Sequence, residues 1–100
     1  MRTFRKDVNE IIRQGFDWSD RLIPGDSIAD SEWVVGQGLD GDNATYEAGY
    51  ADIDLSGGSA GEQYRVSNRV TTNEGLRYER SFVVQDFKLS RKPVRLDPVH

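Results

Sequence analysis

One hundred residues, 36% hydrophobic, 10% aromatic and 30% charged, make one small domain that buries roughly two-thirds of its unfolded surface. The absence of cysteine excludes a disulfide framework, a thiolate zinc site and a cysteine nucleophile, and no stretch approaches the ~20 apolar residues of a membrane-spanning helix. A net charge of -4 and a pI near 4.9 argue against a nucleic-acid binder, which needs a basic face.

The opening "MRTFRKDVNEII" is positively charged but lacks the apolar run and small-residue cleavage site of a signal peptide. A soluble protein made in a cytoplasm, with no membrane partner, is expected. "RKDVNEIIRQGFDWSDRLIPGDS" is the one helix-like stretch. Val8, Ile11 and Ile12 fall at i, i+3, i+4 spacing, Asp7 can cap a turn or two, and Gly15 would end it. So short a helix is stable only when docked. Pro24-Gly25 then signals a turn.

Beyond that turn the chain reads as β. "SIADSEWVV" points Ile28, Trp33 and Val35 inward, with residues 29–31 breaking the alternation as a bulge would. "GQGLDGDN" reads as a loop. "YEAGYADIDL" sets Ala51, Ile53 and Leu55 on one face and Asp52 and Asp54 on the other. In "YRVSNRVTT" the inward set is Tyr64, Val66, Asn68, Val70 and Thr72, and the outward set holds Arg65 and Arg69. "NEG" at 73–75 is a hairpin loop with glycine where a positive φ is wanted. "LRYERSFVVQDF" returns as its partner, with Tyr78, Phe82 and Val84 facing in.

Strands separated by turns, without a convincing helix between them, predict an antiparallel all-β domain. At this length that means a small two-sheet sandwich of the immunoglobulin or fibronectin kind. The expected organisation is an extended or short-helical N-terminal arm over 1–15, the sandwich over 16–87 and a basic tail over 88–100. The predicted core is Trp33, Ile53, Leu55, Tyr64, Val66, Val70, Phe82 and Val84.

The glycines of "LSGGSAGEQYRVSNRVTT" raise two possibilities, a phosphate cradle or a strand connection. A strand follows them, not a helix whose N-terminus would face an anion, and the Lys-Ser/Thr ending of a Walker motif is missing. Tyr64, two residues before the buried position Val66, instead matches a tyrosine corner, its hydroxyl bonding back to the hinge between Leu55 and Glu62.

Other candidates for chemistry are weak. The one histidine, His100, is terminal, which leaves no triad or histidine metal site. Asp17 with Asp20, and Asp52 with Asp54, are paired acids of the kind used in glycoside hydrolysis, but solvated faces explain them more simply. In "LDGDNAT", Asp40 and Asp42 have the spacing of the first two calcium-loop ligands, and Ala44 then breaks the pattern. Trp33 reads as core. Trp18, on the same side as Phe16, is either core or an exposed sugar-stacking face. No catalytic residue, metal or cofactor is assigned.

The pieces "KDV", "GFDWSDRL", "GDSIADSEW", "LSGGSAGEQYRVSNRVTTNEG" and "RSFVV" together resemble the small fiber–tail adaptor proteins of tailed bacteriophages, from about Lys6 to Val84. "DWS" at 17–19 and "SGGSAGEQYRVSNRVTT" at 56–72 are the most specific. Val8 stands where that pattern has proline, and the tail from Lys88 runs past the matched part. The resemblance implies a non-enzymatic virion structural protein with an immunoglobulin-like sandwich, located on the tail or neck. Its partners would be the tail or neck proteins, the tail fiber and neighbouring copies of itself. The competing reading is a carbohydrate-binding sandwich module, with a small acidic hydrolase third.

An adaptor needs docking segments, and the ends of the chain supply them. Phe4, Val8, Ile11 and Ile12 make the N-terminal segment apolar, Phe16, Asp17 and Trp18 form a possible fixed docking edge beside it, and Arg91, Lys92 and Arg95 make the tail basic. Both ends are expected to be mobile in isolation and ordered in the particle. Deleting residues 1–12 is expected to leave a folded domain.

Overall fold

The computed structural model describes residues 1–89. Seven strands occupy them: β1 (Arg2–Asp7), β2 (Ile12–Asp17), β3 (Ile28–Val35), β4 (Leu39–Tyr46), β5 (Tyr50–Gly57), β6 (Gln63–Thr72) and β7 (Arg77–Phe87). They form two sheets, one in the order β1-β7-β6-β3 and the other β2-β5-β4. The result is an all-β, sandwich-like domain without a helix among the described residues.

Period-2 alternation dictates how the sheets face. In β6, Tyr64, Val66, Asn68, Val70 and Thr72 are buried while Arg65 and Arg69 are exposed. A slip of one residue would reverse every one of these positions. β5 repeats the pattern with Ala51, Ile53 and Leu55 inward. Leu39, Ile53 and Leu55 of one sheet then pack on Tyr64, Val66, Phe82 and Val84 of the other. Each fully buried side chain of this kind contributes about 1.5–3 kcal/mol relative to exposure. A second cluster joins Trp18, Ile28 and Val70. Of the predicted core, Trp33 alone is only partly buried, packed against the first cluster.

The punctuation is where the residue types require it. The backbone shifts register between Ile28 and Asp30, the bulge expected from residues 29–31. Gly75 has φ 85° in the hairpin between β6 and β7. The amide of Asp26 bonds to the carbonyl of Ile23 at 3.0 Å across the Pro24-Gly25 turn. In the glycine hinge, Gly57 and Gly58 have φ 76° and 89°, values that L side chains avoid. The Tyr64 hydroxyl accepts a hydrogen bond from the Ser59 amide at 2.8 Å. The hinge is a structural corner.

Three expectations are corrected. The segment around Val8, Ile11 and Ile12 is not helical. Asp7 does cap, but it caps a turn, accepting from the Asn9 amide at 2.9 Å. Ile12 opens β2 opposite Leu55, with Gly15 inside the strand opposite Asp52. Second, residues 2–7 are a strand of the first sheet, lying parallel to β7, so the domain is not purely antiparallel. Third, "GQGLDGDN" is not all loop, because β4 begins at Leu39 and pairs with β5. Its residues beyond Leu39 are exposed on both faces, so no alternation marks it as a strand.

β1 is locked by an ion pair. Lys6 has no exposed surface, and its Nζ donates to the carbonyls of Gly57 at 2.6 Å and Asp7 at 3.0 Å. Asp86 Oδ1, equally buried, lies 3.3 Å from the same nitrogen. A Cβ on Gly58 would collide with the Asp86 carboxylate, so glycine is needed there for space as well as for φ.

Candidate functional site

The connections between strands gather at the two ends of the sandwich. At one, the connections 18–27, 47–49 and 73–76 are tied together. The Trp18 amide bonds to the carbonyl of Gly49 at 2.8 Å, that of Ile28 to Ala48 at 2.8 Å, and that of Asn73 to Ser27 at 2.9 Å. At the other, the turn after β1, the glycine hinge and the last residues of β7 meet. There Val8 N–H donates to Phe87 O at 2.9 Å and Gly61 N–H to Asp86 O at 2.9 Å.

The "FDWS" element belongs to the first end, and most of its aromatic surface faces inward. Trp18 is fully buried, which answers the question its sequence left open. Its Nε1 donates to Asn68 Oδ1 at 2.9 Å, and Asn68 Nδ2 in turn donates to Ser31 Oγ at 2.9 Å and Glu32 O at 3.1 Å. A buried indole and a buried amide thus satisfy each other, as they must. The Phe16 ring lies 5.8 Å from Trp18, 6.1 Å from Trp33 and 5.5 Å from Phe82. Trp18 presents no face to a sugar ring.

The exposed part of this element is ionic. Arg80 covers the Trp18 ring at 4.6 Å, donates to the Asp17 carbonyl at 3.0 Å and grips both carboxylate oxygens of Asp20 at 3.0 Å. Asp17 Oδ1 accepts from the Ser19 hydroxyl at 2.6 Å and amide at 2.9 Å. The Ser19 hydroxyl, then its amide, hold the Asp17 carboxyl below its ordinary range against the opposing effect of burial, and the Arg80 charge helps. Each acid has its own structural partner, which is the reverse of a catalytic pair sharing a reacting atom.

Asp52 and Asp54 are likewise engaged. Arg13 of β2 donates to Asp52 at 2.8 and 3.0 Å and to Asp54 at 2.7 Å, and also reaches Thr45 of β4 at 2.9 Å. One guanidinium therefore ties the three strands of the second sheet across its outer face. The Asp54 carboxyl is held below its ordinary value, first by Arg13 and then by the Asn43 amide. Among the described residues no group of three or more His, Cys, Asp or Glu could hold a metal ion.

The N-terminal residues divide between core and surface. Phe4 packs edge-on against Phe82 at 5.2 Å, and Ile12 lies against the main core cluster. Val8 is half-buried. Ile11, 72% exposed, is the one apolar side chain of 8–12 left on the surface. Arg91, Lys92 and Arg95 lie outside the described residues. Sequence reasoning missed Lys6, Arg80 and Asp86. The inward placement of Asn68 was visible from the alternation of β6, and a polar residue there called for a buried donor such as the Trp18 indole.

No curated protein matches the chain. The family model described as podophage GP4 fiber-tail adaptor protein gp77 matches residues 6–85, from the buried Lys6 to the residue before its ion-pair partner Asp86. The chain belongs to the podophage fiber-tail adaptor family, whose members are structural proteins of the phage tail.

Proposed function

We propose that this chain is a non-enzymatic virion subunit that joins the tail or neck of a podophage to its fiber proteins, assembled in the host cytoplasm beside neighbouring copies of itself. The observation that carries the reading is the family match across residues 6–85. The chemistry agrees with it: Asp17, Asp20, Asp52 and Asp54 each have a structural partner. The tyrosine corner at Tyr64 supports reading the sandwich as immunoglobulin- or fibronectin-like.

In this reading, contact is made at the end of the sandwich that carries Ile11 and by the basic residues Arg91, Lys92 and Arg95 beyond it. Ile11 supplies an apolar anchor of the kind that interfaces bury, and the basic segment finds an acidic neighbouring surface. Phe4, Val8 and Ile12 act from beneath by fixing the segment that presents Ile11, with Phe16, Asp17 and Trp18 toward the opposite end. Symmetric packing lets one such arrangement serve every copy.

The experiment is the protein composition of purified particles. Particles built with Ile11→Glu, or with the chain ended after Leu89, are expected to carry markedly fewer fibers. A full fiber complement with both changes made together would contradict the assignment of the ends. Absence of the wild-type chain from purified particles would contradict the structural role itself.

A further inference from the structure

The first sheet has an unfinished edge. β1 pairs with β7 only from Phe82 to Phe87, with Arg2 opposite Phe82, whereas β7 begins at Arg77. Residues 77–81 therefore have β6 on one side and, among the described residues, no strand on the other. Such a row of unpaired N–H and C=O groups is a ready template for another strand.

Three of the other edges, those of β3, β4 and β2, are less receptive. β3 is bulged between Ile28 and Asp30, and β4 between Asp42 and Thr45, which is how natural sheets discourage added strands. β2 is regular, but its arginine is already engaged by Asp52 and Asp54. The pairing of β7 with β6 runs through residues 77–85 without a register shift, and no proline interrupts it.

Charge identifies the occupant. Around this half-edge stand Arg2, Arg21 and Arg77, all exposed. Arg2 and Arg21 rest over the rings of Phe4 and Tyr78 at 5.1 and 4.7 Å, and none of the three has a carboxylate partner among the described residues. Of the acids nearby, Asp20 and Glu79 are already paired with Arg80 and Arg69, which leaves Glu74 of the hairpin against three arginines. The rim is thus positive in a protein whose net charge is -4.

We propose that residues 77–81 receive an extended, acidic segment of another virion protein, added as a strand in line with β1. Main-chain hydrogen bonds give such an added strand its affinity, and the three arginines select acidic side chains on it. A second copy of this chain fits less well. Self-pairing sets one positive rim against another, and the acidic strand β4 is broken by its bulge after Asp42. The chain's own basic tail has the wrong sign. This inference rests on the adaptor reading above and names the partner's chemistry.

The test is a strand-resolved cryo-EM map of the wild-type particle together with the composition of charge-reversed particles. The map is expected to show a strand of a different protein beside residues 77–81, with acidic side chains toward Arg2, Arg21 or Arg77. Particles carrying Arg77→Glu are expected to hold at least tenfold fewer copies of that partner, and those carrying Arg21→Glu, changed in a loop outside the sheets, should be reduced in the same direction. Arg65→Glu, on the outer face of β6, should leave the complement at wild-type level. The proposal is overturned if the edge faces solvent or a second copy, or if Arg65→Glu depletes the partner as much as Arg77→Glu. A wild-type chain missing from the particle would defeat the adaptor reading itself, whereas an incorporated chain with a bare edge defeats only this inference.

Discussion

A lysine with no exposed surface must be held by acceptors and a counter-charge, and Lys6 has two backbone carbonyls for the first and the Asp86 carboxylate, 3.3 Å away, for the second. Removing one partner of a buried pair leaves an uncompensated charge, at a cost of about 3–5 kcal/mol. Urea unfolding of Lys6→Ala is expected to show a loss in that range. The double replacement Lys6→Met with Asp86→Leu should recover much of it, because paired apolar groups need no solvation. An equally destabilised double variant would mean that the pair does more than neutralise itself. Tyr64→Phe removes one neutral hydrogen bond to the Ser59 amide and should cost about 1 kcal/mol. Unchanged unfolding would remove the corner from this account. These residues differ in how they read. Tyr64 was legible because its role is local and its spacing to Val66 is diagnostic. Lys6 was not, because its partners Gly57 and Asp86 are distant in the chain and an inward lysine resembles any surface lysine.

At the scale of elements, the second sheet depends on Arg13, which links β2, β5 and β4 through Asp52, Asp54 and Thr45. The folded Asp54 carboxyl titrates below its ordinary 3.8. A depressed carboxylate contributes stability that is fully present above the unfolded value and is lost as pH falls through the folded one. Wild type should therefore be more stable than Arg13→Met at neutral pH, and the gap should close as pH falls below about 3.8. Thermal melts of both proteins from pH 7 to pH 2.5 would check this, and a gap independent of pH would assign the effect to packing of the arginine stem. The same sheet explains what was hard to read. β5 and β6 announced themselves because one face of each is buried and the other is not. β4 gave no alternation because it is exposed on both faces after Leu39. β1 buries only Lys6 and Asp7 and half-buries Phe4, and its parallel pairing is set by a partner more than seventy residues away. The helix-like spacing of Val8, Ile11 and Ile12 came from a turn residue, an exposed residue and the first residue of a strand.

For the whole molecule, the two-sheet all-β class followed from the sequence because strand-turn patterning fills its second half. The N-terminal segment was harder, since its docking against both sheets is a long-range matter. This changes one expectation. Residues 1–12 include β1 and the residue that opens β2, so their deletion removes Phe4 and Lys6 from the interior and uncovers the whole outer edge of β7. Circular dichroism melts should find that truncation unfolded or strongly destabilised, while a chain ended after Leu89 keeps all seven strands of the described residues and should still melt cooperatively. A cooperative, wild-type melt for the N-terminal truncation would restore the picture of a separable arm. The proposed place of this domain is between tail and fiber. Its most direct test is the composition and negative-stain appearance of particles from a phage that cannot make the protein. The account predicts tails assembled without fibers, restored when the chain is supplied in trans. Particles that carry a normal complement of fibers in its absence would contradict it.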